Sequence, residues 1–257
     1  MSLQEQYVAF MTIVRKEIRR YLRIWTQTLL PSAITMSLYF VIFGSLIGSR
    51  IGEMGGFSYM QFVVPGLIMM AIVTNSYSNV VSSFFGSKFN HSVEELLVSP
   101  IPNYVILMGY VVGGVTRGML VAVVVTIVSL FFTELHIHSY FVVVVIVLMT
   151  ATLFSLAGFI NAVYANSFDD ISIVPTFVLT PLIYLGGVFY SMDLLPEFWA
   201  NVSKLNPLVY VVNAFRYGVL GVSDVSLPFA LGMIALFTAV AFAFSMHLLN
   251  SGKRLRQ

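Results

Sequence analysis

Six stretches of this chain are each long and apolar enough to cross a lipid bilayer. One of them, residues 171–190, has no charged side chain, and an α-helix of about 20 residues spans about 30 Å of hydrocarbon. The other five stretches are residues 26–48, 61–85, 109–132, 140–164 and 228–250. Hydrophobic residues make up 58% of the chain and charged residues 9%. A water-soluble protein of this size could not bury so many hydrophobic side chains in one core. The sequence therefore predicts an all-α polytopic membrane protein with six transmembrane helices in a single domain, residues 1–257.

Basic residues are concentrated at the two ends of the chain. They are Arg15, Lys16, Arg19, Arg20 and Arg23 before the first predicted span, and Lys253, Arg254 and Arg256 after the last. Because Lys and Arg mark the cytoplasmic flanks of transmembrane helices, both termini are predicted to be cytoplasmic. The net charge of +2 comes from these clusters, which argues against nucleic acid as a partner and favours membrane lipid. The absence of Cys excludes disulfides and thiolate chemistry.

The segment before the first span has the pattern of an amphipathic helix that lies in the membrane interface. Its apolar positions recur every three or four residues: Tyr7, Phe10, Met11, Val14, Ile18, Tyr21, Leu22 and Trp25. The five basic residues fill the other face. Two interpretations remain open, an anchor on anionic lipid and a platform that also contacts a cytoplasmic subunit.

The longest predicted cytoplasmic connection has the sequence GSKFNHSVEELLVSPIPN, residues 86–103. Ser92 followed by Glu95 resembles a capping box that starts a short helix, and Pro100 and Pro102 end it. The helix would carry an apolar edge formed by Leu96, Leu97 and Val98. A solvated loop needs neither that edge nor two closing prolines, which favours a docking element for a partner protein.

Residues 179–216 combine an apolar helix with an aromatic, lightly charged continuation. Four charged residues, Asp193, Glu197, Lys204 and Arg216, alternate there with prolines and aromatic rings. One Arg at the bilayer centre costs about 2.5 to 3.5 kcal/mol, so a full crossing by residues 205–222 is unfavourable. The pattern predicts a re-entrant or surface-lying outer hairpin between spans five and six.

Three polar residues fall inside predicted spans: Arg117, Asn75 and Asn79. An intramembrane Arg is a functional candidate by default, but Arg117 could also pair with Asp169 or Asp170 in the short connection after the fourth span, and we favour that structural pairing. The two asparagines either line a path or bond neighbouring helices.

The chain has no motif that would make it an enzyme or an independent pump. It lacks a G-x-x-x-x-G-K-[ST] phosphate loop, H-E-x-x-H, G-x-S-x-G and a buried pair of carboxylates, so it is not expected to hydrolyse ATP or to bind a metal or cofactor itself. A secondary transporter or channel, and less favourably a membrane-embedded lipid-modifying enzyme, remain alternatives.

The stretch TFVLTPLIYLGGVFYSMDLLPEFWANVSKLNPLVYVVNAFRYG resembles the signature of type-2 ABC transporter permeases. The match follows this order: Leu179, Leu182, Leu185, Gly186, Val188, Leu195, Pro196, Pro207, Leu208, Tyr210 and Arg216. The family exports drugs, lipid-linked polysaccharides and related lipophilic cargo. The resemblance covers nearly the whole chain and implies a permease subunit in a bacterial inner membrane.

The same resemblance implies a homodimer of permeases docked on two cytoplasmic ATPase subunits, which bind ATP and Mg²⁺. It implies ATPase-coupling roles for two groups of residues: Arg15, Arg19, Arg20 and Arg23 in the amphipathic helix, and Glu94, Glu95, Leu96 and Leu97 in the first intracellular loop. It also implies an outer re-entrant gate with bent helices over residues 194–220. The residues of that gate are Leu195, Pro196, Trp199, Pro207, Tyr210, Phe215 and Arg216.

Overall fold

The computed structural model describes residues 1–252, without the side chains of Ser45 and Ser49. The C-terminal basic cluster of Lys253, Arg254 and Arg256, on which the predicted orientation partly rests, lies outside the described residues. The prediction of an all-α fold is confirmed for most of the described chain. The exception is a two-residue β-hairpin in which β1 (Glu53–Met54) pairs antiparallel with β2 (Phe57–Ser58).

The N-terminal region is an amphipathic helix followed by the first apolar stretch. The helix is α1 (Leu3–Arg23), and Trp25–Gly44 then has the length and composition of a span, against the predicted 26–48. Its elements are α2 (Trp25–Thr28), α3 (Leu30–Phe40) and a π-helical segment (Val41–Ile47), followed by α4 (Gly48–Ile51). Pro31 lies in the first turn of α3, where its missing amide hydrogen breaks no bond within α3, and the helical run is interrupted at Leu29 just before it.

Four more helices are long and apolar enough to cross a membrane: α5 (Tyr59–Phe89), α7 (Asn103–Ser129), α8 (Tyr140–Tyr164) and α13 (Leu227–Ser251). A short helix, α6 (Ser92–Val98), connects α5 to α7. Helix α5 is the most buried of the five and packs along α7 and α8, whereas α13 is mostly exposed on the outside of the bundle. Helix α5 extends beyond the predicted 61–85 at both ends, whereas α7 both begins and ends earlier than the predicted 109–132.

The fifth predicted span, residues 171–190, is a shorter helix in the structure. Asp170–Tyr184 comprises α9 (Asp170–Val174), a π-helical segment (Pro175–Leu179) and α10 (Thr180–Tyr184). At 1.5 Å per residue it reaches about 22 Å, so a sixth crossing stays a prediction. A π-helical segment begins at Pro175, where the proline removes a helical hydrogen bond.

A chain of short elements follows the shortened helix. They are a 3₁₀ turn (Met192–Leu194), α11 (Glu197–Ser203) and α12 (Pro207–Leu220). The helix before them ends at a turn in which Gly187 has φ +74°, a conformation that glycine adopts without steric cost. Helix α12 packs against α5, α8 and α13.

Small residues on α7 let its neighbours approach closely, as their spacing predicts. A Cβ atom on Gly109 would lie 2.6 Å from Ile13 of α1, and one on Gly113 would lie 2.5 Å from the Cβ of Glu17. On another face of α7, a Cβ on Gly118 would collide with Ser76 of α5. Helix α7 is therefore wedged between α1 and α5.

The two ends of the bundle carry different elements. At one, which we call the α1 end, α6 connects α5 to α7, and the Tyr104 hydroxyl at the start of α7 donates to the side-chain oxygen of Gln6 in α1. At the other, the hairpin end, the Tyr59 hydroxyl donates to the Phe189 carbonyl over 3.2 Å. The Ser139 amide there donates to the carbonyl of Gly218, near the end of α12, over 2.8 Å.

Candidate functional site

A buried ionic cluster joins α1 to α5 at the α1 end. Glu17 is fully buried, and its carboxylate accepts a 2.6 Å hydrogen bond from the Ser83 hydroxyl and a 3.2 Å bond from the Arg20 guanidinium. Arg20 also donates to the backbone and side-chain oxygens of Asn79, each over 2.9 Å. Two predicted site residues, Arg20 and Asn79, are thus in direct contact.

Sequence reasoning missed Glu17, although the helical pattern contains the signal. Glu17 lies three residues after Val14 and four before Tyr21, so it occupies the face that these buried residues define. An acidic residue on the inward face of an amphipathic helix is expensive to bury without a cation. Arg20, one turn later, supplies that cation.

The other predicted basic residues of α1 point away from the bundle. Arg15, Arg19 and Arg23 are exposed. Lys16 reaches inward, and its ammonium lies 3.4 Å from both the Ser87 hydroxyl and the Tyr110 hydroxyl. The α1 end therefore presents an exposed basic row beside a buried network.

Helix α6 is present as predicted, but its start differs from the predicted capping box. His91, not Ser92, is the N-cap residue, with φ 59° and no capping side-chain bond. The Ser92 hydroxyl instead donates to the Ser87 carbonyl over 3.0 Å. The capping-box prediction is wrong because the turn after α5 is closed by a left-handed residue.

The predicted apolar edge of α6 is divided between the protein interior and the surface. Leu96 and Leu97 pack partly against the protein's own core. Val98 is 85% exposed, and Glu95 is exposed beside the half-buried Glu94. A partner could therefore reach Glu95 and Val98 more readily than the two leucines.

Arg117 is buried and makes no contact with either predicted aspartate. Its guanidinium donates to the Thr28 carbonyl over 3.2 Å and to the side-chain oxygen of Asn75 over 2.9 Å. The Asp170 carboxylate instead accepts from the backbone amides of residues 166 and 167 in its own loop. The predicted pairing is wrong, and Arg117 ties α7 to α2 and α5 without a carboxylate among residues 1–252.

The predicted outer gate is divided into an exposed and a buried part. Pro196 and Trp199 are exposed and Leu195 is half-buried, whereas Tyr210, Phe215 and Arg216 in α12 are buried; Pro207, at the start of α12, is half-buried. The α12 helix enters the bundle, and α11 remains on its surface. The two helices thus differ in environment although they are separated by only a few residues.

Arg216 anchors the buried part of this segment. Its guanidinium carbon lies 3.8 Å from the centre of the Phe62 ring, and one nitrogen donates to the Gly187 carbonyl over 2.6 Å. Its remaining side-chain nitrogens, Nε and Nη1, have no hydrogen-bond partner in the described structure. The cation is therefore stabilised by a ring face and a single carbonyl.

Side-chain amides fix the two ends of α12. The Asn206 oxygen accepts from the Leu208 amide over 3.0 Å, and its nitrogen donates to the Leu182 carbonyl over 2.6 Å. Near the other end, the Asn213 oxygen accepts from the Asp224 amide over 3.0 Å, and the Asp224 carboxylate accepts from the Met192 amide over 2.7 Å. The start of α12 is thus bonded to α10, and its later half is tied to the loops of the hairpin end.

Helix α5 carries a polar stripe that sequence reasoning did not identify as a unit. Between Phe62 and Lys88, the residues that remain accessible on this buried helix follow one another at four-residue spacing: Met70, Thr74, Ser78, Ser82 and Gly86. The Thr74 hydroxyl bonds back to Met70, and the Ser82 hydroxyl bonds back to Ser78. We call Thr74, Ser78 and Ser82 the α5 stripe.

An aromatic cluster joins the first apolar stretch to the segment after α10. The Phe43 and Phe189 rings are stacked with centres 4.6 Å apart, and Tyr184 lies 5.7 Å from Phe189. Tyr39 contacts both phenylalanines at 5.9 and 6.4 Å. These rings hold α3 and the end of α10 together near the hairpin end.

Within residues 1–252, no three His, Cys, Asp or Glu side chains come close enough together to hold a metal ion. His138, at the hairpin end, packs edge-on against the Tyr217 ring with centres 5.5 Å apart.

The sequence of this chain matches a known protein family. The profile of the ABC-2 type transporter family matches residues 8–220. The inner membrane transport permease YadH of Escherichia coli strain K12 is 57% identical over 250 residues, which cover 97% of this chain and 98% of that protein.

More distant relatives are nodulation proteins. Nodulation protein J of Neorhizobium galegae is 23% identical over 259 residues, covering 100% of this chain and 97% of the relative. Nodulation protein J of Rhizobium leguminosarum bv. viciae is 22% identical over 214 residues, or 83% of each chain. The chain belongs to the ABC-2 type transporter family, as a multi-pass membrane subunit of an ABC transporter.

Proposed function

We propose that this chain is the permease of an exporter that moves a lipophilic or amphipathic substrate across the bacterial cytoplasmic membrane. Two copies form the pathway, and two separate ATPase subunits supply the energy. The observation that carries the proposal is the α5 stripe, because it is an accessible polar row on a helix that is otherwise largely buried. A second copy that packs opposite the stripe would cover it and leave a polar path between the subunits.

The α1 end is the face that receives the ATPase in this proposal. The exposed part of α6 lies at this end, where the Tyr104–Gln6 bond joins the start of α7 to the first turns of α1, and the exposed basic row lies further along α1. Motion of a docked subunit would reach α5 through the contact of Arg20 with Asn79. This orientation makes both termini cytoplasmic and brings the basic residues of α1 to anionic lipid headgroups.

The hairpin end is the outer face, and α11 with α12 forms a re-entrant gate. The supporting geometry is the depth of α12, whose first turn is bonded to Leu182 of α10 while its last turn lies near Ser139. ATP binding by the partner shifts the populations of inward-open and outward-open states. Exposed Phe198, Trp199 and Leu205 then lie where an amphipathic cargo leaves the protein.

The docking part of the proposal is tested by reversing charge on α6. The double variant Glu94→Lys/Glu95→Lys should lose copurification of the ATPase subunit and cargo-stimulated ATP turnover in proteoliposomes. The matched control is Glu134→Lys, which makes the same change on an exposed residue at the hairpin end. Unchanged copurification for the double variant would contradict docking at α6.

The pathway part is tested separately on the α5 stripe. Ser78→Cys and Ser82→Cys in the Cys-free chain should form disulfide-linked or bis-maleimide-linked dimers, since the stripe faces a second copy. Ala239→Cys, on the exposed side of α13, is the control and should remain monomeric. Crosslinking of the control alone would place the subunit interface on α13 and contradict the proposed path.

A further inference from the structure

An apolar cavity lies between the shortened fifth helix and the rest of the bundle. It has a volume of about 380 Å³ and is lined from α5, α8, α13, the Asp170–Tyr184 helix and the first residue of α12. Tyr77 is the one polar side chain among its lining residues. None of the residues of the α5 stripe lines it.

The cavity opens sideways, at mid-membrane depth, onto exposed apolar surface. Ala241 lines it near the midpoint of the 25-residue α13. On its rim, Val240 is 61% exposed and Val178 is 49% exposed. A molecule can therefore enter between α13 and the fifth helix from the lipid side.

The lining chemistry determines what can fill this space. Water needs two to four polar partners to occupy a cavity, and a wall with a single hydroxyl does not supply them. An apolar cavity of this size left empty would lose the dispersion contacts of its whole lining. The filling group must then be apolar, and saturated hydrocarbon is the apolar material abundant at that depth.

We infer that the cavity is an alkyl-chain site occupied by one acyl chain of a bilayer phospholipid. The chain acts as a packing element between α13 and the Asp170–Tyr184 helix. A phospholipid of the bilayer is favoured over a cargo chain because the opening faces the exposed side of α13 and not the α5 stripe. The inference is independent of the proposed transport function.

Photolabelling of the purified full-length chain tests this site. The chain is placed in nanodiscs of phosphatidylethanolamine and phosphatidylglycerol with a trace of a diazirine-acyl phosphatidylglycerol, without ATPase or cargo, and labelled peptides are quantified by mass spectrometry. Labelling should be concentrated on Ala157, Leu179, Leu182 and Ala241. Label spread evenly over all exposed helices would overturn the inference.

Matched variants separate this site from general lipid contact. Ala241→Phe fills the cavity and should reduce the label on Leu179 and Leu182 severalfold, to the level of other lipid-facing helices. Ala239→Phe makes the same change on the exposed surface nearby and should leave it unchanged. If Ala241→Phe does not fold, Ala157→Phe fills the same cavity from α8.

Two further outcomes would also overturn the inference. One is equal labelling in wild type and both filling variants, which would mean that no chain enters the cavity. The other is an absence of phospholipid label together with labelling by a diazirine-alkyl cargo analogue, which would assign the site to cargo.

Discussion

The two ends of the bundle bury positive charge in opposite ways. At the α1 end, Arg20 is paired with the buried carboxylate of Glu17 and with Asn79. At the hairpin end, Arg216 is fully buried with the Phe62 ring and the Gly187 carbonyl as its partners. One end uses an ion pair within α1 that is also bonded to α5, and the other uses a ring and a turn.

The difference matters because the two arrangements respond differently to loss of one partner. A buried pair is sensitive to the removal of either member, since the remaining charge is left uncompensated. The Arg216 cation depends on a ring face and on one directional bond to the turn at Gly187, and the Asp224 carboxylate acts on it only at longer range. The two arrangements should therefore respond differently to substitution at Glu17 and at Arg216.

The largest expected effect is that of Glu17→Ala. Removing the carboxylate leaves Arg20 and the Ser83 hydroxyl without their buried acceptor. Breaking a fully buried pair lowers the free energy of unfolding by about 3 to 5 kcal/mol. The loss should be smaller here because Arg20 is partly exposed. The measurement is thermal unfolding in detergent, with hydrogen exchange of α1 as the local readout.

A double variant sharpens this prediction. Glu17→Ala/Arg20→Ala should recover part of the lost stability, because no unpaired charge remains. Glu53→Ala, at an exposed residue of β1, is the control and should be nearly neutral. Additive losses in the double variant would mean that the two side chains act separately.

A smaller loss is expected for Arg216→Met. The variant gives up a desolvated cation–ring contact worth about 2 kcal/mol, but it also removes the two guanidinium nitrogens that lack partners. Arg216→Lys should be less stable than Arg216→Met, because a compact ammonium is more strongly hydrated and spreads less well over a ring.

Hydrogen exchange of residues 185–192 follows the turn that Arg216 holds. Both variants should increase exchange there and leave α1 unaffected, since the two regions lie at opposite ends of the bundle. Greater stability of Arg216→Lys than Arg216→Met would show that positive charge itself, and not the ring contact, is what the site requires.

The fold was largely predictable from apolar run length, and the exceptions have local causes. Three of the five long helices, α5, α8 and α13, contain their predicted windows, and the other two cover most of theirs, because hydrocarbon-length apolar runs have few other solutions. The helix Asp170–Tyr184, which is not one of these five, is shorter than its apolar run. The chain turns at Gly186 and Gly187 while the sequence is still apolar. Hydropathy reports where a segment can lie, and it does not report where the helix ends.

The candidate site was less predictable because its contacts join distant parts of the chain. Arg117 was recognised as unusual, but its acceptors, Thr28 and Asn75, belong to two other helices that no local spacing connects to it. Glu17 was overlooked because it was read among the charges of α1 and not by its helical face. Residue type identified the candidates, and tertiary packing chose their partners.

A modest loss of about 1 kcal/mol is expected for Ser58→Ala at the hairpin end. Ser58 and Gln61 form a capping box: the Ser58 hydroxyl accepts from the Gln61 amide, and the Gln61 side-chain oxygen accepts from the Ser58 amide over 3.2 Å. Its loss should raise hydrogen exchange in the first turn of α5. An unchanged unfolding temperature and exchange rate would mean that packing alone fixes that helix start.

The smallest effect is expected for Ser92→Ala, which makes the same change at the α1 end. Ser92 has a similar sequence context, with Glu95 three residues later, but its hydroxyl caps no amide of α6 and donates to the Ser87 carbonyl. The loss should stay near 0.5 kcal/mol, the range of one partly exposed hydrogen bond, with unchanged exchange in the first turn of α6. A loss as large as that of Ser58→Ala, with faster exchange in α6, would mean that Ser92 caps the helix in solution. Equal behaviour of the two serines would then remove one difference between the ends of the bundle. Unequal behaviour would show that backbone geometry decides which helix start is capped, and that the S-x-x-E or S-x-x-Q pattern does not.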